Sequence, residues 1–233
     1  MKSLSVIIFA FNEADNVQPV LAEVDEWAQT RDEAIEVVFV DDGSSDATVE
    51  RARAIQMHTP VKIVEHGANR GIGAAIKTGT RNAAHDWVTF MPADGQIDPR
   101  SLDVLIECRN QDDLDFVTSV YEDRNDGLHR TVLSWGVRTL IRVVHGVHMT
   151  RDGPYLFRRL DFDEALIKPD SFFLNFEFPI RLLAAGKRAN VVTIVCRKRM
   201  SGRSKSSGIK TIIVIAKDLV DLRLRRLGEQ AEK

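Results

Sequence analysis

Four short apolar runs, each followed by a helical pattern, constrain this chain more than any other feature. Ser5–Phe9, Ile35–Val40, Val61–Val64 and Trp87–Met91 are too short to be helices and apolar without alternation, which suits strands buried on both faces. After the first run, Val17, Val20, Leu21, Val24, Trp27 and Ala28 recur at helical spacing, with Asn12 or Asp15 placed to cap. Helices are likewise expected over Ala47–Met57, capped by Ser45 or Asp46, over Ala74–Ala84 and over Ser101–Arg109. Pro99 stands at the start of the last, where its missing N–H costs nothing. Strand and helix in strict alternation predict an α/β fold with an open, mostly parallel sheet. Its ligand is expected beyond the carboxyl ends of the strands.

The second half is less regular. Asp115–Ser119 reads as a strand, followed by a basic loop and helix carrying Arg124, Arg130, Trp135, Arg138 and Arg142. Asp152–Arg159 suggests a strand crossing under the site, Phe176–Ala185 a helix stopped at Gly186, and Ala189–Cys196 a β-branched strand. An amphipathic helix closes the chain from about Ile209 to Leu227, with Ile209, Ile212, Ile213, Ala216, Val220, Leu224 and Leu227 as its apolar stripe. Packing on the domain or on a second subunit is the favoured use of that stripe, and a membrane surface is the other. The expected division is 1–208 for the α/β domain and 209–233 for the helix and tail.

Composition excludes rather than selects. At 233 residues and 44% hydrophobic content the chain has ample core. A formal net charge of −2 gives no support for a nucleic-acid binder. Two cysteines, Cys108 and Cys196, make neither a disulfide framework nor a metal-ligand spacing, and buried thiols in a reducing cytosol are expected. No leader-like start and no run of about 20 apolar residues is found, so a cytoplasmic protein, soluble or peripheral at the membrane face, is expected. Trp27, Trp87 and Trp135 are expected in the core, and the histidines at the surface or as satisfied neighbours.

Chemistry gathers at the strand ends. The second run ends in Asp41-Asp42-Gly43-Ser44-Ser45-Asp46, where adjacent aspartates present alternate faces. One can meet a base or ribose while the other braces the turn. The fourth run ends in Pro92-Ala93-Asp94-Gly95-Gln96, whose Asp94 and Gln96, at i and i+2, can point at one hard cation. Mg²⁺ or Mn²⁺ held by few carboxylates plus substrate phosphates is the usual arrangement with nucleotides. Gly67-Ala-Asn-Arg-Gly71-Ile-Gly73 matches the glycine turn of short-chain dehydrogenases, but it follows the third strand, and no Tyr-x-x-x-Lys pair accompanies it. The dehydrogenase is rejected, though the loop with Arg70 can still hold a diphosphate.

Phe9-Ala-Phe-Asn-Glu13, VDDGSSD, NRGIGAAIKTG and ADGQ recur in this order in the family 2 glycosyltransferases of GT-A fold. The chain resembles most the branch of dolichyl-phosphate mannose synthases and bacterial polyprenyl-phosphate glycosyltransferases, over roughly residues 4–208. Arg130 with Ser134, GPYLFRR, and Arg199-Met-Ser-Gly-Arg-Ser-Lys205 support that branch. The resemblance implies a nucleotide-sugar pocket from Ala10, Phe11, Glu13, Asp41, Asp42, Arg70, Gly71, Ala93 and Asp94. It implies a Mg²⁺ or Mn²⁺ site at Asp94 and Gln96, and acceptor-phosphate binding by Arg130, Ser134, Arg199, Ser204 and Lys205. The implied partners are a nucleotide-diphosphate sugar and a polyprenyl phosphate, with transfer inverting by direct displacement. Two departures stand out: Pro92 occupies the first position of the usual Asp-x-Asp loop, and Met149 replaces an aspartate, with Asp152 the nearest substitute as a catalytic carboxylate. A saccharide hydroxyl acceptor would call for a base, Asp152 or Glu177, although Glu177 could equally complement a helix start. A non-catalytic nucleotide-sugar binder that lost turnover with Pro92 is the non-enzyme alternative.

Overall fold

The computed structural model describes residues 3–111, 114–122, 127–150, 153–198, 200 and 209–231, with the backbone alone over 127–134, 209–214 and 230–231. The first run is β1 (Ser3–Ala10), followed by α1 (Val17–Gln29), β2 (Ala34–Asp41), α2 (Thr48–Ala54), β3 (Val61–Glu65), α3 (Ile72–Asn82), β4 (Trp87–Pro92) and α4 (Leu102–Gln111). Then come β5 (Phe116–Tyr121), α5 (Gly127–His145), β6 (Tyr155–Arg158), α6 (Leu174–Ala184), β7 (Ala189–Ile194) and α7 (Ile209–Ala231). Strand order is β3-β2-β1-β4-β6-β5-β7. β1 runs parallel to both β2 and β4, and among the described strands only β6 is antiparallel to its neighbours.

The period of two along β1 explains its unbroken apolarity. Leu4, Val6 and Ile8 face one layer with α1 and α4, while Ile7 faces the other with α3 and α6. Val37 and Phe39 share the first face, and Val38 and Val40 the second. Phe90, Tyr155, Phe157 and Phe178 fill the second layer, with an edge-on Phe90–Tyr155 contact at 4.6 Å between centroids.

Several expectations shift. Helix α2 stops at Ala54, and Ile55–Met57 lie outside it. Neither Asn12 nor Asp15 caps α1: its N-cap is Asn16, without a side-chain cap. Asp46 does accept from Thr48 N, at 3.0 Å, at the start of α2. Pro99 opens a 3-10 turn, Pro99–Ser101, capped by Asp98. The crossing strand is only Tyr155–Arg158, wedged antiparallel between β4 and β5.

Helix α7 turns a different face inward from the one expected. Leu219 and Leu222 are fully buried against Ile141, Met149, Phe173 and Ile180, whereas Val220, Leu224 and Leu227 are exposed. The reason is an ion-pair anchor: both Arg225 guanidinium nitrogens reach Glu177, at 2.8 and 2.7 Å, which fixes the rotation of α7 on α6. Trp135 on α5 is 68% exposed rather than core, while Trp27 and Trp87 are buried. Among the described residues, no helix is long and apolar enough to cross a membrane.

Candidate functional site

From β1 the chain runs outward through β2 and β3, then returns to the other side of β1 as β4. The order therefore reverses between β1 and β4, and a crevice opens beyond their carboxyl ends. A cleft of about 370 Å³ lies there, lined by Ala10–Asn16, Asp42, Asp46, Asn69, Gly71, Ile72, Ala75 and Pro92–Asp94. Backbone bonds hold its base, with Ala93 N donating to Phe9 O at 2.9 Å and Asp42 N to Ala10 O at 2.8 Å.

The first wall is two loops stapled together. Asn12 N donates to Ser44 Oγ at 2.9 Å and Ser45 N to Asn12 Oδ1 at 2.8 Å. Glu13 N donates to Thr48 Oγ1 at 2.9 Å and Ala14 N to Asp46 Oδ2 at 3.2 Å. Asn12 itself has φ 55°, a left-handed conformation that asparagine tolerates better than most residues. Burial works to raise the Asp46 carboxyl, but hydrogen bonds from Thr48 and Ala14 outweigh it and hold it below the usual range. Ala10, Phe11 and Glu13 thus line a rigid wall.

The two aspartates divide their work. Asp41 Oδ2 accepts from Gly43 N at 3.1 Å and Ser44 N at 2.8 Å, so this side chain shapes its own turn and stays out of the cleft lining. Asp42 lines the cleft, yet its carboxylate is already held: Oδ1 by Arg70 N at 2.9 Å and His66 Nδ1 at 2.8 Å, Oδ2 by Gly71 N at 2.8 Å. The Arg70 residue is otherwise exposed.

The glycine loop differs from its expected use. A Cβ on Gly73 would stand 2.5 Å from Ser171 O, and one on Gly71, at φ +95°, 2.8 Å from Asp170 O. These glycines admit another stretch of the same backbone. Ala74 N donates to Asp170 O at 3.1 Å, and Lys77 Nζ reaches Lys168 O at 3.0 Å and Asp170 Oδ1 at 2.9 Å. With Arg70, Gly71 and Ala74 N–H groups committed internally, they form no diphosphate cradle.

Opposite lies the acidic loop. Asp94 is 8% exposed, and burial pushes its carboxyl up, opposed in part by the Gln96 N–H that donates to Oδ1 at 3.0 Å. The basic segment after β7 docks on this loop. Ile97 bridges Cys196 antiparallel, Arg197 N donates to Gln96 O at 2.8 Å, and Met200 N to Asp94 O at 3.3 Å. Gly95, at φ +74°, leaves room for the Met200 side chain. Arg197 pairs with Glu23 at 2.8 Å and with Asp98. The Gln96 amide is turned toward Cys196 Sγ, 4.0 Å away.

Among the described residues, no group of three or more His, Cys, Asp or Glu is placed to hold a metal. The donor set instead fits a cation that arrives with phosphates: one buried carboxylate, costly to ionise alone, whose charge a dication would offset. Asp152, Arg199, Ser204 and Lys205 lie outside the described residues; Arg130 and Ser134 lie on α5 with side chains not described. Glu177 is not in the cleft and so is not placed as a base there: it stands in the first turn of α6, as the helix-start reading has it, and is fully buried between Arg181 and Arg225. His66, expected only as a surface or satisfied histidine, is satisfied by Asp42 and Thr78 and is the site-adjacent residue given no role by the sequence. The signal was its position directly after β3, which pairs with β2 at Asp41↔Glu65 and so brings it level with the aspartates.

The family model for "Glycosyl transferase family 2" matches residues 5–181. The chain is 27% identical over 219 residues to dolichol-phosphate mannosyltransferase of Pyrococcus furiosus, covering 90% of this chain and 60% of that protein. It is 31% identical over 149 residues to dodecaprenyl-phosphate galacturonate synthase of Rhizobium johnstonii, covering 63% of this chain and 44% of that protein. Undecaprenyl-phosphate 4-deoxy-4-formamido-L-arabinose transferase of Aeromonas hydrophila is 29% identical over 225 residues, 94% of this chain and 67% of that one. The chain thus spans about half to two thirds of the length of these relatives. In fold it is similar to glucosyl-3-phosphoglycerate synthase of Mycobacterium tuberculosis, solved with Mn²⁺, UDP and phosphoglyceric acid. That match has a TM-score of 0.69 and 17% identity, over 97% of this chain and 79% of that one. The switch-point cleft, the single antiparallel strand and the ordered motifs are those of a GT-A fold, and the chain belongs to glycosyl transferase family 2.

Proposed function

We propose that this chain transfers a sugar, with inversion, from a nucleotide-diphosphate sugar to a polyprenyl phosphate. The observation that carries the reading is the docking of Cys196, Arg197 and Met200 onto the Asp94 loop, whose Asp94 lines the switch-point cleft. A nucleoside in the cleft would rest on Ala10, Phe11 and Glu13, with Asp42 beside the base. Its diphosphate would then extend toward Ala93 and Asp94. Asp94 would hold Mg²⁺ or Mn²⁺, with phosphate oxygens and water completing the shell. When bound, that ion supplies Lewis-acid stabilisation of the departing diphosphate. Gln96 would join through Oε1, its Nε2 lying 4.0 Å from Cys196 Sγ.

A phosphate monoester is largely ionised near neutral pH, with a second pKa of about 6. One of its oxygens forms the new bond to the anomeric carbon as the bond to the β-phosphate breaks, and the electron pair leaves with the nucleoside diphosphate. No proton must be removed, so positioning carries much of the rate. This account needs no base, in keeping with the burial of Glu177 away from the cleft. Arg130, Ser134, Arg199, Ser204 and Lys205 remain the proposed phosphate contacts, by charge and fork geometry.

The test is calorimetric titration with UDP, GDP and dTDP, each with Mn²⁺ and with EDTA. Metal-supported binding of a nucleotide, lost in Asp94→Ala, is expected, followed by transfer to polyprenyl phosphate but not to a lipid-free saccharide. Binding indifferent to EDTA would favour the non-catalytic binder, and no binding to any nucleotide would end the reading.

A further inference from the structure

A second cleft, of about 300 Å³, opens at the other end of the sheet from the switch point. One wall is the turn after β6, which carries Asp161 and Asp163 and leaves the sheet where Arg158 pairs with Trp87, the first residue of β4. The other is the C-terminal half of α6, with Phe178, Arg181 and Leu182, and α7 contributes Arg226 and Glu229. The two clefts share no lining residue.

The charges of this cleft are matched in pairs, with one exception. Lys187 Nζ meets Asp161 Oδ1 at 2.7 Å, and Arg181 meets Glu229 at 2.8 and 3.0 Å. Asp163 is exposed, and its Oδ1 accepts from Ala165 N at 3.0 Å. Arg226 is only 9% exposed, and among the described residues no carboxylate pairs with it. Of the five N–H donors of a guanidinium, one goes from Nη1 to the His145 ring, 3.2 Å from Nδ1. Burial, then the Arg181 and Arg223 charges, pull the Arg226 pKa below the ordinary arginine value, and Glu229 opposes them in part. A buried cation without a counter-ion is costly, and an anion beside it removes that cost.

We infer that this second cleft binds a small organic carboxylate, its anionic head on the Arg226 guanidinium and its apolar body against Leu166, Ile167, Phe178 and Leu182. With Nη1 given to His145, the edge formed by Nε and Nη2 is a fork that matches two carboxylate oxygens. One uncompensated guanidinium takes one charge. The carboxylates of Asp161, Asp163 and Glu229 in the same lining disfavour a second, which selects a monoanion over a phosphate dianion. The aliphatic and aromatic side chains give a body of several carbons a surface on which to leave water. Neither Asp94 nor a metal takes part, so the inference stands apart from the nucleotide reading.

The experiment is calorimetry on the full chain in EDTA with hexanoate, hexanamide and inorganic phosphate, repeated on Arg226→Gln and Leu166→Glu. Saturable binding of one hexanoate per chain is expected, about tenfold or more tighter than hexanamide, which forgoes a hydrogen bond between charged groups. Phosphate should bind more weakly than hexanoate. Arg226→Gln keeps an amide N–H for His145 but removes the charge, and should weaken hexanoate about tenfold or more. Leu166 is 40% exposed, so Leu166→Glu sets a carboxylate in the same cleft at little risk to folding. It should weaken hexanoate likewise, and serves if Arg226→Gln does not fold. Saturating hexanoate should also raise the melting temperature of the wild type and not that of either variant. Hexanamide binding as tightly as hexanoate, phosphate binding more tightly through Arg226, or hexanoate affinity unchanged in either folded variant would overturn the inference. So would the lack of saturable hexanoate binding to the wild type. None of these outcomes touches the Asp94 cleft, whose nucleotide binding is read separately.

Discussion

Replacing Glu177 by glutamine separates a structural carboxylate from a catalytic one. Glu177 is fully buried and accepts three charge-assisted hydrogen bonds, from Arg225 at 2.8 and 2.7 Å and from Arg181 at 3.0 Å. Removing one partner of a buried ion pair typically costs about 3–5 kcal/mol, because the other charge is stranded. Two features reduce that figure here. Arg181 keeps a second carboxylate, reaching Glu229 at 2.8 and 3.0 Å, and the Arg225 side chain is 26% exposed, so water can recover part of its solvation. About 2–3 kcal/mol is therefore expected, a sizeable share of the roughly 5–15 kcal/mol that holds a domain folded. At about 2–4 °C per kcal/mol for a chain of this size, the melting temperature should fall by roughly 4–12 °C. Urea denaturation gives the free energy, and transferase assays well below the transition give turnover. The expectation is lost stability with turnover intact, and in the Glu177→Met/Arg225→Met double variant a loss smaller than the sum of the singles. A variant as stable as the parent but without turnover would refute the reasoning and return Glu177 to the list of bases.

Three further outcomes follow from the same geometry. His145 is buried against Arg226, with Nε2 donating to Leu219 O at 3.0 Å; burial, then the Arg226 and Arg223 charges, lower its pKa to about 4. Because the folded value lies below the unfolded one of 6.5, stability is full above pH 6.5 and declines as pH falls toward about 4. A loss on the order of 2–3 kcal/mol by linkage is expected across that window, and His145→Gln should flatten it in urea titrations. Asp94 behaves in the opposite sense: burial raises its folded pKa, so its contribution is favourable at low pH and is lost as pH rises from 3.8 through the folded value. Asp94→Asn should leave the metal-free protein no less stable at neutral pH, as denaturation against pH will read, while abolishing Mn²⁺-supported nucleotide binding. Gly73→Ala sets a helix-propensity gain of about 1 kcal/mol against a Cβ 2.5 Å from Ser171 O, an overpacking cost of roughly 1–3 kcal/mol. A net destabilisation of up to about 2 kcal/mol is expected by urea denaturation, and an increase in stability would show that the 170–171 backbone yields freely.

What could be read in advance followed from burial, and what could not followed from partners distant in sequence. A strand covered on both faces has no polar positions along its length, so Val6–Ile8 and Val37–Val40 stand out as unbroken runs and their polar residues collect at the ends. That is why Asp42 and Asp94 could be named from the strand ends, whereas Ala10 and Glu13 came from the family resemblance; all four line the cleft at the switch point. The apolar residues of α7 fall on more than one face, so periodicity admits more than one inward direction. The choice is made by Arg225 meeting Glu177, 48 residues away. The state of Asp42 is hidden for a related reason. Two of its three partners are backbone N–H groups, which every non-proline residue carries, and no residue type at positions 70 and 71 announces that these will turn toward a carboxylate. A sequence motif therefore locates the carboxylate, but how much of its acceptor capacity remains for a ligand depends on the fold of the loop beside it.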